Sequence, residues 1–62
     1  MKINEQYSLT EIKSNGLVEK EVKDLDVKIF TSEQESKVYF FENIGNSLFR
    51  LYTVISKRSF FL

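Results

Sequence analysis

Apolar positions recur every second residue through most of this chain, and after residue 36 they crowd both phases of the alternation. The stretch "KVYFFENIGNSLFRLYTVI", residues 37–55, holds five aromatics in nineteen positions. Alternation with period 2 predicts strands rather than helices. Gly45-Asn46 offers a two-residue turn, because Gly and Asn tolerate positive φ. That turn would pair Ile44 with Ser47, Glu42 with Phe49, Phe40 with Leu51 and Val38 with Thr53. The opposite face would then pair Phe41 with Arg50, Tyr39 with Tyr52 and Lys37 with Val54. Neither face is polar, so one hairpin presents large apolar side chains in both directions.

Upstream, Val27, Ile29 and Thr31 alternate with Lys28 and Phe30, and a polar loop at residues 33–36 reverses the chain. Pairing across that loop sets Ile29 beside Phe40, Thr31 beside Val38, Phe30 beside Tyr39 and Lys28 beside Phe41. The two registers agree in their faces across three strands.

The N-terminal third reads two ways. In "YSLTEIKSNGLVEKEV", Ser8 and Glu11 have the spacing of a capping box, Tyr7 and Ile12 that of a hydrophobic staple, and Gly16 that of a helix stop. Leu9, Ile12, Val18, Val22 and Leu25 keep helical spacing. Alternatively, Ser14-Asn15-Gly16 is a three-residue hairpin loop that sets Ile12 opposite Val18 and Ser8 opposite Val22. The strand reading is preferred, because the first helix would be only about two turns long.

The predicted fold is thus mainly β, a single domain over 1–62. It is a small antiparallel meander with strands near 5–13, 17–23, 26–32, 37–44 and 47–56, and an optional short sixth at 59–62, curling into an SH3-like roll or barrel. The alternative is α+β, with helices at 8–15 and 17–25 packed on a three-stranded sheet over 26–56. Curling would bury Ile29, Val38, Phe40, Leu51 and Ile55. It would leave Phe30, Tyr39, Phe41, Leu48, Arg50, Tyr52 and Val54 facing outward. The terminal "SKRSFFL" would dock as an edge strand rather than hang free.

Composition narrows the chemistry. Sixty-two residues bury a small core, and such domains usually lean on disulfides, metals or oligomerisation. The chain has no Cys and no His. Disulfides, thiolate metal sites and the commonest acid–base groups are therefore excluded. No serine sits in a nucleophile elbow, and Gly16 and Gly45 stand alone rather than in a phosphate loop. Asp24-x-Asp26 lacks the further ligands of a calcium loop and reads as a turn. The expectation is a protein without catalytic residues, cofactor or metal. A winged helix-turn-helix is disfavoured, because Glu19, Glu21 and Asp24 would sit on its recognition helix.

Net charge is zero but uneven. Residues 1–36 carry eight acids against five lysines, a balance of −3; residues 37–62 carry one acid against four bases, a balance of +3. Three occupants of the outward aromatic face are considered. A protein partner, including a second copy in a homodimer, would meet Phe30, Tyr39, Phe41, Arg50, Tyr52 and Val54. Single-stranded nucleic acid would stack on the same rings with Lys28, Lys37, Lys57 and Arg58 near its phosphates, against which the neutral charge argues. Third, the chain's own N-terminal helical segment would cover the face. The first is preferred: a non-catalytic protein that occludes a partner's surface, as an inhibitor or regulator. No apolar leader and no spanning segment is visible, so a cytoplasmic setting is expected. The Lys-, Glu-, Asn- and Phe-rich usage without Pro has the character of a low-GC bacterium or its phage.

Overall fold

The computed structural model describes the chain apart from Leu25, Phe61, Leu62 and the side chain of Phe60. The fold is the mainly β meander expected. Its elements are β1 (Gln6–Ser8), α1 (Leu9–Ser14), β2 (Val18–Lys20), β3 (Val27–Ser32), β4 (Lys37–Gly45), β5 (Leu48–Ser56) and α2 (Lys57–Phe60). All five strands form one antiparallel sheet in the order β1-β5-β4-β3-β2.

The β3–β4 register is as read from the sequence, with Ile29 opposite Phe40, Phe30 opposite Tyr39 and Thr31 opposite Val38. The β4–β5 hairpin differs. Its turn is Asn46-Ser47, with φ of 55° and 61°, and not Gly45-Asn46. Two consecutive positive-φ residues match the right-handed twist of the flanking strands, as in a type I′ turn. Gly45, at φ +88°, then ends β4 opposite Leu48. Two register shifts follow, one leaving Ile44 extra on β4 and one leaving Tyr52 extra on β5. Tyr39 consequently faces Val54 rather than Tyr52, Phe41 faces Leu51 rather than Arg50, and Lys37 faces Ser56 rather than Val54. A bulge sends adjacent residues to unexpected faces, because the period-2 count is broken there.

The N-terminal third combines the two readings. Residues 9–14 are helical, as the capping box proposed: Ser8 Oγ accepts from the Glu11 amide at 3.2 Å, and Glu11 Oε1 accepts from the Ser8 amide at 2.9 Å. Gly16 at φ +78° ends the helix, its amide donating to the Lys13 carbonyl at 3.0 Å. The Ser14-Asn15-Gly16 hairpin loop is therefore overturned, as are the Ile12–Val18 and Ser8–Val22 pairs. Residues 18–20 are a strand, but their partner is β3, with Val18 opposite Thr31. The helix expected over 17–25 does not form over 18–20; Leu25 lies outside the described residues. At the C-terminus, Lys57–Phe60 is a helical turn, so the sixth strand fails at Ser59 and Phe60. Phe61 and Leu62, the rest of that expectation, lie outside the described residues.

β1 and β2 run parallel to each other at opposite edges, and α1 is the crossover between them. It lies on one face of the sheet. Ile12 and Leu17 pack there with Phe30, Tyr39, Phe41, Phe49 and Leu51, bordered by Tyr7, Leu9 and Val54. Ring contacts order this cluster: Phe41 meets Phe30 edge-on at 5.4 Å and Tyr7 edge-on at 6.5 Å. Each buried Phe removes enough apolar area to contribute roughly 2–3 kcal/mol. This helix-covered face is called the inner face below.

Candidate functional site: the open face of the sheet

Alternation gives the other face by elimination. Its central row is Lys20, Ile29, Phe40 and Thr53, which lie opposite one another across β2, β3, β4 and β5. One row up, Val18, Thr31, Val38 and Ile55 align; one row down, Val27, Glu42 and Arg50 align. Tyr52, lifted out of register by the bulge, tilts onto Phe40 with ring centroids 6.1 Å apart.

Coverage of this face is uneven. At its upper end β5 runs into α2, which packs against β4 and β5, and Thr31 and Val38 are fully buried. The Lys57 amide donates to the Ser36 carbonyl, and Lys57 Nζ pairs with Glu33 at 2.6 Å, fixing the start of α2. Lys57 holds the Glu33 carboxyl below its usual range by that hydrogen bond and by its charge. Below that end no element of the described residues lies over the sheet. Val18 is 53% exposed and Tyr52 38%, while Ile29, Phe40, Val27 and Ile55 are half-buried.

The lower end is polar and fixed. Arg50 donates to Glu42 at 3.1 Å and to Asn4 Oδ1 at 2.6 Å, which ties β5 to β4 and to the segment before β1. Asp26, Val27, Glu42, Arg50 and Tyr52 line a shallow cavity of about 240 Å³. Ligand pockets are typically about 300–1,000 Å³, so this one suits a single inserted side chain better than a substrate.

The residues expected to form the partner surface separate accordingly. Phe30 and Phe41 are fully buried and Tyr39 nearly so, all on the inner face; Val54 borders the same cluster. Their expected outward exposure is overturned, because α1 lies on them. Tyr52 and Arg50 do lie on the uncovered face. Ile29 and Phe40, assigned to the core by sequence, belong beside them, and Leu51 is core on the opposite face from the one expected. The bulge explains the Tyr52 and Leu51 assignments. The covering helix explains the rest, and its capping box was the signal available for it.

Nor does the fold gather the four basic residues around one set of rings. Lys28 pairs with Glu19 at 2.8 Å beside the inner face, Lys57 pairs with Glu33 near α2, and Lys37 and Arg58 are solvent-exposed at residue level. No helix of the described residues is long and apolar enough to cross a membrane. Comparison with known proteins finds no matching family model, no matching curated protein and no matching solved structure for this chain.

Proposed function

We propose that this chain is a non-catalytic binding protein that works by covering a surface of another protein, and that the open face is the part that makes the contact. One observation carries the reading. The helix that crosses the sheet covers one apolar face, and the second face keeps Val18, Ile29, Phe40 and Tyr52 together with part of their surface in water. Contiguous exposed apolar surface rimmed by polar groups is characteristic of interaction sites. Tyr, Phe and Arg, the types enriched at interface centres, are here Tyr52, Phe40 and Arg50. An inhibitor or regulator acting by occlusion would need nothing more than such a face.

Single-stranded nucleic acid is the weaker reading. Tyr39 and Phe41, the rings it would stack on, are core, and two of its four cations are engaged in ion pairs.

Affinity capture from the native host tests the proposal, with the wild type, Tyr52→Lys and a distant surface variant, Lys13→Glu, as baits. A protein retained by the wild type and Lys13→Glu but lost with Tyr52→Lys supports a contact through the open face. Retention by all three alike sinks it. A labelled oligonucleotide titrated at low salt serves the weaker reading; salt-sensitive binding that Tyr52→Lys abolishes would favour it instead.

A further inference from the structure

We infer that Asn15-Gly16 is a site of spontaneous covalent modification, the deamidation of Asn15, and that α1 is the gate that controls it. The site ends the helix over the inner face and stands apart from the reading of the open face.

The pair of residues supplies the chemistry. The Gly16 nitrogen gives up its proton to hydroxide, bonds to Asn15 Cγ and closes a succinimide ring. The Cγ–Nδ2 bond breaks, and Nδ2 leaves as ammonia with a proton returned by water. Water then opens the ring. Addition at Cγ gives aspartate in an unchanged backbone; addition at the main-chain carbonyl gives isoaspartate, whose backbone is longer by a methylene. In sum, asparagine and water become acid and ammonia, with nothing oxidised or reduced. Of the four asparagines, Asn4 precedes Glu5, Asn43 precedes Ile44 and Asn46 precedes Ser47. Their side chains crowd the attacking nitrogen, whereas Gly16 has none. Asn15 and Gly16 are both exposed, so hydroxide and water reach them.

The folded helix holds the reacting groups apart. Asn15 Nδ2, the leaving group, donates to the Glu11 carbonyl at 2.8 Å. The Gly16 amide proton, which the base must take, is donated to the Lys13 carbonyl at 3.0 Å. Ring closure needs Asn15 Cβ eclipsed with the Gly16 nitrogen about the Cα–C bond. At ψ of 8° Asn15's own nitrogen holds that place instead. Turning the bond withdraws Gly16 from Lys13 and pulls on Leu17, which is buried in the inner cluster. The reaction therefore waits until the helix opens. A helix of six residues opens as a unit and at low cost.

Modification also unlatches the gate. A carboxylate cannot donate to the Glu11 carbonyl, and its charge stands at the negative end of the helix. In isoaspartate the added methylene shifts Gly16 off the helix stop. Either product leaves α1 open for more of the time than asparagine does.

Ageing the full chain at mildly alkaline pH, native and in denaturant, tests both the site and the gate. Trypsin cleavage after Lys13 and Lys20 isolates residues 14–20, in which Asn15 is the sole asparagine, and mass spectrometry reads its conversion to acid. In denaturant Asn15 should convert faster than Asn4, Asn43 or Asn46; in the native chain it should convert several-fold more slowly than in denaturant. Ser8→Ala should speed the native reaction by about fivefold, the lost cap expressed as an opening equilibrium. Tyr39→Phe loses a hydrogen bond to Glu35, away from α1, at a similar cost in global stability, and should age at the wild-type rate. Asn15→Asp should have a lower denaturant midpoint than the wild type. An unmodified 14–20 peptide from the denatured chain overturns the site. Equal native and denatured rates, a Ser8→Ala rate equal to the wild type's, or equal acceleration by Ser8→Ala and Tyr39→Phe each overturn α1 as the gate. An unchanged midpoint in Asn15→Asp overturns the unlatching.

Discussion

Two side chains show how single polar groups are treated by this sheet. Thr31 is fully buried at the upper end of the open face, and its hydroxyl has no hydrogen-bond partner among the described residues. An unsatisfied buried hydroxyl costs about 1–3 kcal/mol, and Val has nearly the same shape without it. Thr31→Val should therefore stabilise the protein by about 1 kcal/mol, read as a higher denaturant midpoint with an unchanged slope. A lower midpoint would show that the hydroxyl is satisfied. Tyr39 is the opposite case. Its hydroxyl donates to Glu35 Oε1 at 2.9 Å, and burial first, then the Glu35 hydrogen bond and charge, raise its pKa above the ordinary 10.0. The protonated phenol is the form that the fold favours. Its contribution is complete below pH 10.0 and is lost as pH rises from there through the raised folded value. Tyr39→Phe should thus cost about 1 kcal/mol at neutral pH, yet lose less stability than the wild type on moving to alkaline pH. Parallel alkaline losses in the two proteins would sink that assignment.

At the scale of elements, α1 decides which sheet face becomes core. It has only six residues, too few to persist alone, so its ends and its one buried side chain, Ile12, must hold it. Ser8→Ala removes the cap and should cost about 1 kcal/mol. Gly16→Ala adds a Cβ that meets nothing within 4 Å, so its cost arises from φ +78° alone, again about 1 kcal/mol. Equilibrium denaturation of both variants checks this; no change in either would mean that α1 is held by packing only. The polar loop at residues 33–36 fixed the β3–β4 register, whereas Ser8, Glu11 and Gly16 marked the helix but were outweighed by the hairpin reading of Ser14-Asn15-Gly16, which was preferred because a helix of about two turns is marginal alone. The pairing of β1 with β5 was not legible, because Gln6, Tyr7 and Ser8 carry no local mark of a partner about forty residues away. Yet that pairing makes β1–α1–β2 a crossover between parallel strands. Such crossovers are right-handed in nearly all proteins, so the pairing also determines which face α1 covers. Without it, two equally apolar faces could not be told apart. The bulges at Ile44 and Tyr52 were hidden for a similar reason: alternation that is apolar in both phases leaves no polar residue to reveal a slip.

For the molecule as a whole, the sequence posed the question of what covers each face of an all-apolar hairpin, and the fold gives each face a different answer. Phe41 lies at the centre of the inner face, fully buried and in edge contact with both Phe30 and Tyr7. Tyr52 lies on the open face, 38% exposed, with Phe40 as its ring neighbour. The same truncation at the two sites should separate fold from function. Phe41→Ser loses a packed ring and places a hydroxyl in an apolar cluster, a cost of about 3–5 kcal/mol. A domain of this length has a total stability of only about 3–9 kcal/mol, so a large fraction of Phe41→Ser should be unfolded at room temperature. Tyr52→Ser removes a half-exposed ring from a bulge, where the loss is confined to its contact with Phe40, and should cost about 1 kcal/mol or less. Circular dichroism and proton NMR dispersion of the two variants report on the fold, while affinity capture reports on the contact through the open face. The expected outcome is a disordered Phe41→Ser and a folded Tyr52→Ser that no longer retains the protein captured by the wild type. A folded Phe41→Ser beside an unfolded Tyr52→Ser would mean that the two faces have been assigned the wrong way round.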